Sequence, residues 1–316
     1  MKQEQKKIVC LGGGNAMPKA ILSGLKKYPV RISAICAMLD SGGSSGRLRK
    51  DYNIISPGDI RRSFIALADT SPAIENLFNY RFETGELKGH NFGNLLITAL
   101  ELSSGNYEKV CDEIHKILNI SHQVLPITTD NSQLFAVLEN GETIAGETNI
   151  DVPKHDSSLK IKKVFLKPEA KIYPKAFSAI QGADLIVIGP GDLYSSLVQI
   201  LLVEGAIQAI KESKVKKVYV CNLMTKKGET NNFSVTDFSN EIEAYLGSEL
   251  DYVLYNTKRP NQDVLNKTKE KHPELIEMVS FSDDLNENKF IGKDFLGLSG
   301  ITHDSEKLSK LIFSLI

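Results

Sequence analysis

KIVCLGGGNAMPKAILSGL, residues 7–25, decides the fold class. The apolar, β-prone run Ile8–Leu11 predicts a strand over 7–11, which Gly12, Gly13 and Gly14 then break. Pro18 suits the first turn of a helix, where its missing N–H costs nothing, and Ala20, Ile21 and Leu25 give the predicted helix to Lys27 an apolar face. Strand, glycine turn and helix form the first half of a βαβ unit, which requires a parallel sheet.

The pattern extends outward from there. A second strand is predicted at residues 30–38, running into Asp40-Ser41-Gly42-Gly43-Ser44-Ser45-Gly46-Arg47. Pro57-Gly58-Asp59 breaks the chain again, with Asp59 as expected N-cap of a helix through Ala68. Further helices at about 72–80, 93–102 and 107–118 make 58–118 a mainly helical segment. Residues 123–166 read as a strand and hairpin region: 123–127, then 134–139 and 143–146 around the turn signal Asn140-Gly141, then 160–166. Strand and helix alternation resumes at 185–188, 217–221 and 252–255, and a last helix covers 305–315. The expected fold is a single Rossmann-like α/β domain over 1–316, a mostly parallel, doubly wound sheet flanked by helices, with a helical elaboration and a small antiparallel hairpin region.

Composition narrows the function classes. With 316 residues, 41% hydrophobic and 24% charged, the chain can bury a sizeable core. A net charge of −1 argues against nucleic acid as main partner. The polar opening MKQEQKK and the short apolar run after it resemble no signal peptide, and no stretch approaches a membrane span, so a cytoplasmic protein is expected. Cys10, Cys36, Cys111 and Cys221 form no ligand-spaced pair and read as reduced core thiols, not zinc ligands.

Four loops at the ends of predicted parallel strands carry the chemistry, because open α/β sheets bind ligands at that edge. In the first, Gly12, Gly13, Gly14 and Asn15 let backbone approach a ligand, the next helix offers free N–H groups, and Lys19 supplies a cation; phosphate is the natural guest. The loop lacks a P-loop GK[ST], and Met17 stands where a dinucleotide fingerprint needs a small residue. In the second, Gly42, Gly43, Ser44, Ser45, Gly46 and Arg47 suit an anion, while Asp40 suits either a ribose or Mg²⁺ beside a phosphate. The third contributes Gly189, Gly191, Asp192, Tyr194 and Ser195, with Asp192 as a candidate helix cap; the fourth contributes Asn222, Thr225, Glu229 and Thr230. Arg61 and Arg62 sit in a first helical turn, an odd place for cations unless an anion is near. His90, Asn91, Gly93 and Asn94 add polar groups, His90 as base, donor or structural residue. His303-Asp304 reads as a surface turn and helix cap.

Taken in order, GGGNAMPKAILSGLKKYP, LDSGGSSGRLR, SPGDIRRSFIALAD, GHNFGNLLITALE, VLPITTDN, GETNID, GPGDLYSSLVQILLVEGAIQAI, VYVCNLMTKKGET and GITHD resemble the YvcK-like gluconeogenesis-factor family, which belongs with the phospholactate transferase (CofD) superfamily. The resemblance runs from about residue 7 to the C-terminus. It implies a Rossmann-like core and a regulator that binds a UDP-sugar such as UDP-N-acetylglucosamine and acts in carbon metabolism, cell-wall synthesis and cell shape. The transferase relatives imply an alternative: a group moved from a nucleotide-diphosphate-activated donor with Mg²⁺, held here by Asp40 and Asp192, with Arg47, Arg61 and Arg62 along the diphosphate. The resemblance also allows a homodimer. Two positions depart from the family pattern: Gly14, Asn15 and Ala16 stand in the last three places of the usual GGGTG, and Ser41 replaces the second aspartate of the usual DDGGSSG.

Overall fold

The computed structural model describes residues 5–316; the first four residues of the polar N-terminal stretch lie outside the described residues. The strands in chain order are β1 (Lys6–Gly12), β2 (Val30–Cys36), β3 (Gln123–Pro126), β4 (Gln133–Leu138), β5 (Thr143–Ala145), β6 (Ile161–Lys167), β7 (Leu185–Ile188), β8 (Lys216–Val220), β9 (Met224–Lys226), β10 (Tyr252–Asn256), β11 (Leu275–Met278) and β12 (Phe290–Lys293). Seven of them form one sheet in the order β12-β10-β8-β7-β1-β2-β3, and every neighbouring pair is parallel. Counted within the sheet, the order is 3-2-1-4-5-6-7, the doubly wound arrangement expected from the strand and helix alternation.

The inner stretches of the central strands are apolar on both faces, as a sheet covered by helices on each side requires; Ile8, Cys10, Ile32, Ala34, Val187 and Val220 are fully buried. All four cysteines are buried and free, and burial pushes the Cys10 and Cys111 thiols up to about 12, so they pack as small apolar groups. An antiparallel sheet, β5-β4-β6, is inserted between β3 and β7, its β4–β5 turn at Asn140-Gly141 with Gly141 at φ +89. A two-stranded sheet, β11-β9, lies near the cavity described below. Among the described residues, no helix is long and apolar enough to cross a membrane.

Two local expectations are corrected. The serine- and glycine-rich loop after β2 becomes the helix Gly43–Tyr52, which buries Ser44, Ser45 and Leu48. Asp59 lies inside the first turn of the helix Gly58–Leu67, whose N-cap position is Pro57, so its carboxylate is free for other partners.

The first helix opens with a π-helical turn, Pro18–Leu22, and continues as Ser23–Leu25. It packs against the C-terminal helix Ser305–Phe313, with the Ser23 and Ser305 hydroxyls 3.0 Å apart. Gly24 makes this approach close: a Cβ there would sit 2.3 Å from Ser309 Oγ and 2.5 Å from the Ser305 carbonyl oxygen. The substitution Gly24→Ala is expected to destabilise the fold by about 1–3 kcal/mol, the usual cost of overpacking, as read by urea denaturation.

Candidate functional site

Because the seven strands are parallel, the loops after β1, β2, β7 and β8 all emerge at one edge. β1 pairs with β2 on one side and β7 on the other, which makes the gap above β1 the topological switch point. A cavity of about 500 Å³ opens there. Its floor is Gly13, Gly14, Asn15 and Ala16; Asp40, Asp59 and Arg62 line one wall, and Gly191, Asp192, Ser196 and Asn222 another. Leu223, Met224, Leu275 and Ile301 give it an apolar side, with His272, Thr302 and His303 near them in the lining.

The glycines of the floor have separate physical reasons. Gly14 adopts φ +60, a conformation that side chains disfavour. At Gly13 a Cβ would stand 2.4 Å from Asp59 Oδ2, so the loop's backbone lies directly on that carboxylate. Gly14 N–H donates to Asp59, and Arg62 donates to Asp59 Oδ1 at 2.6 Å. Burial nevertheless raises the Asp59 carboxyl to about 6; Arg62 opposes that rise and the nearby Asp40 adds to it.

Across the cavity, one ammonium serves three carboxylates. Lys226, whose side chain is 8% exposed, contacts Asp151 closely, Asp192 Oδ2 at 3.0 Å and Glu229 Oε1 at 3.7 Å. Burial alone would lower the Lys226 pKa, but Asp192, Glu229 and Asp151 together raise it above the ordinary lysine value. Glu229 is fully buried, and burial raises it to about 7 against the pull of Lys226. It accepts from Ser195 Oγ at 2.8 Å and from Tyr194 N–H at 3.1 Å. The backbone donors that open the helical turn Leu193–Val198 are thus already taken by a carboxylate of the chain itself. Asp192 occupies that turn's N-cap position without capping it and turns to Lys226 instead. Asn222 Oδ1 accepts from Gly191 N–H at 3.2 Å and ties the third loop to the fourth.

Residues 8–291 match the family model of the 2-phospho-L-lactate transferase CofD. The chain is 36% identical to the gluconeogenesis factor of Bacillus subtilis over 99% of each sequence. It is 42% identical to that of Halalkalibacterium halodurans over 77% of this chain and 75% of the relative. The chain belongs to the gluconeogenesis-factor family of the CofD superfamily. The crystal structure of a UPF0052-family protein from Bacillus halodurans superposes with a TM-score of 0.91 at 36% identity, covering 98% of this chain and 99% of that one.

Within this family fold, the structure gathers ten of the residues singled out from sequence into the cavity lining: Gly13, Gly14, Asn15, Lys19, Asp40, Asp59, Arg62, Gly191, Asp192 and Asn222. It places others in supporting positions. Gly12 packs on Met17, and a Cβ on Gly46 would lie 1.9 Å from the Ser41 carbonyl oxygen. Gly42 donates its N–H to Asp40 Oδ1 at 2.8 Å, and Gly43 takes φ +48 at the helix start. Ser44 pairs with His90 Nδ1, Ser45 accepts from Asn94, and Asn91 caps the helix Phe92–Ser104. Arg61 is turned inward, donating to Asn94 and Asn79 side chains and the Phe78 carbonyl, and Gly93 gives its stem room. Arg47 reaches the Lys88 carbonyl. The Tyr194 hydroxyl pairs with Glu241, Thr225 is fully buried, and Thr230 Oγ1 accepts from the Lys226 N–H. Gly189 adopts φ +80 ahead of a cis Gly189–Pro190 peptide.

Glu147, Asp151, Ser196 and His303 also line the cavity, and Lys226 joins its wall, without a site signal in the sequence. The first two stand on the short helix Glu147–Asp151 directly after β5, far in sequence from the loops. His303, expected at a surface turn, is half-buried in the cavity wall and donates from Nε2 to the Cys221 carbonyl at 3.1 Å; the next residue, Asp304, caps the last helix as expected.

Asp40 and Asp192, the candidate Mg²⁺ ligands, both line the cavity. Among the described residues, no group of three or more His, Cys, Asp or Glu forms a ready metal cage. Magnesium needs only one or two carboxylates when phosphate oxygens and waters complete its shell, so the donor set fits that ion beside a phosphate.

The carboxylate crowding has a pH signature. Burial, then Asp40 and Asp151, raise the Glu147 carboxyl to about 9. The folded chain therefore keeps that proton after the unfolded chain has released it. The resulting stability is complete below the ordinary carboxylate range and fades as pH rises towards 9. Asp59 and Glu229, raised to about 6 and 7, act in the same sense but finish earlier. Between pH 7.5 and 9 the thermal midpoint of the native chain should therefore fall more steeply than that of Glu147→Gln; equal slopes would show that Glu147 ionises normally.

Proposed function

We propose that this cavity binds a nucleoside-diphosphate sugar of the UDP-N-acetylglucosamine kind, and that the chain acts as a cytoplasmic ligand-reporting regulator linked to central carbon metabolism, cell-wall synthesis and cell shape. One observation carries the reading. Gly13, Gly14 and Asn15 line the cavity at the switch point beside the cations Lys19 and Arg62, with Gly14 N–H held by Asp59, whereas the donors at Tyr194 and Ser195 lie against the fully buried Glu229. The diphosphate then takes the first loop, with Lys19 and Arg62 beside it. Lys19 has no ion pair among the described residues and is free to meet an anion. The base and sugar face Leu223, Met224, Leu275 and Ile301, an apolar side with few polar groups, as small-molecule pockets usually are.

A transferase reading rests on a different observation, the number of carboxylates around the same space. Asp40 and Asp192 would hold Mg²⁺, which would neutralise charge on a diphosphate leaving group. In that case Asp40→Asn abolishes turnover of a nucleotide-activated donor while the fold persists.

A thermal-shift series separates the two. UDP-N-acetylglucosamine at a hundredfold excess over its dissociation constant should stabilise the chain by roughly 2.7 kcal/mol without any product forming. Gly13→Ala, which forces a Cβ against Asp59, and Arg62→Ala should each lower affinity by about tenfold or more while circular dichroism stays native. A shift seen only with guanosine nucleotides and Mg²⁺ would transfer the assignment to the transferase reading. Absence of any nucleotide-sugar shift would overturn the proposal.

A further inference from the structure

The inserted sheet β5-β4-β6 has two unlike faces. Leu134, Ala136, Leu138, Val164 and Leu166 are buried on the inner one. On the outer one, Phe135 pairs in register with Phe165, Val137 with Lys163, and Gln133 with Lys167. The two phenyl rings stack, centroids 5.3 Å apart and 15° from parallel. They are half-buried, yet neither ring joins the main core; they pack on each other. Lys163 and Lys167 are exposed and make no ion pair among the described residues. The helix Glu147–Asp151, whose Glu147 and Asp151 line the cavity, packs near β4 and β5.

We propose that this outer face is a docking surface for a protein segment with acidic side chains around an apolar, aromatic centre. Its chemistry is a stacked aromatic pair and a valine bordered by unpaired cations, which an acidic rim would complement. A second copy of the chain is a poor occupant, because a twofold contact would set Lys163 and Lys167 against each other. The area points the same way. Three strands at about 4.8 Å spacing and some five residues each span roughly 250 Å², well below the ~800 Å² per partner of a stable complex. The contact is therefore transient, which suits regulation and not permanent assembly.

The experiment uses the full chain and three fluorescein-labelled probes: a short peptide alternating Glu and Tyr, the same peptide with Lys for Glu, and single-stranded oligodeoxythymidine. Anisotropy at low ionic strength should show saturable binding of the acidic peptide only. The double variant Lys163→Glu with Lys167→Glu, and separately Phe165→Ser, should weaken it by about tenfold. Thermal midpoints should stay native, since these side chains lie outside the main core. Failure of the acidic peptide to bind, or an affinity unchanged in the variants, overturns the proposal. Tighter binding of the oligonucleotide, lost in the same variants, also overturns it and makes the face a base-stacking platform. No arm uses a nucleotide sugar, so the outcome is independent of the cavity's ligand.

Discussion

Everything in this molecule hangs on the pairing of β1. It is the one strand whose neighbours, β2 and β7, belong to the two halves of the winding, and its parallel ladder with both sets the direction of the whole sheet. Turned antiparallel, it would send the Gly13–Ala16 loop to the opposite edge from Asp40, Asp192 and Asn222. The strand can hold this place because Ile8, Val9, Cys10 and Leu11 are apolar on both faces, which a strand buried between two helical layers requires. It ends at Gly12, and Gly13 and Gly14 line the cavity directly beyond it. Fold and site are thus specified by adjacent residues of one short segment.

The site built on that edge carries a second constraint, an excess of carboxylates in a confined space. Asp40, Asp59, Glu147, Asp151 and Asp192 surround the cavity, against Lys19, Arg62 and the buried Lys226. Burial first, and the neighbouring carboxylates after it, raise the Asp59 and Glu147 carboxyls above the usual range, so protons stay on these groups longer. Lys19 and Arg62 in the lining offset part of this charge. Arg62 and the Gly14 N–H both meet this charge at Asp59, where the first loop lies on that carboxylate.

Much of this was legible in the sequence because it rests on local signals. The apolar runs and glycine breaks marked the strands, and Leu185–Ile188 fell where the alternation placed it. Asn140-Gly141 announced its hairpin through the turn conformation those residues favour. What stayed hidden depends on contacts between distant segments. Residues 43–52 carry glycines and serines that read as a loop, yet burial of Ser44, Ser45 and Leu48 makes them a helix, a tertiary preference overriding a local one. Arg61 and Arg62 are adjacent and chemically alike; only their positions on the helix turn one towards Asn94 and Phe78 and the other towards Asp59 and the cavity. Lys226 stood inside a quoted motif, but nothing in its neighbours announced that Asp151, 75 positions away, would meet it.

That last contact gives the site its mechanical logic. Asp151 comes from the helix after β5, Lys226 from β9, and Asp192 from the loop after β7, so one ammonium ties the inserted region to the two halves of the cavity wall. Apolar packing could fill the same space, and a buried ion group is by itself a weak source of stability because desolvation cancels most of its attraction. What it supplies is definition: Lys226 has a donor for each carboxylate, and any displacement of the inserted helix strands a charge. The cavity wall is therefore defined in part by a polar network in which Asp192, from the loop after β7, and Asp151, from the inserted region, meet on one lysine.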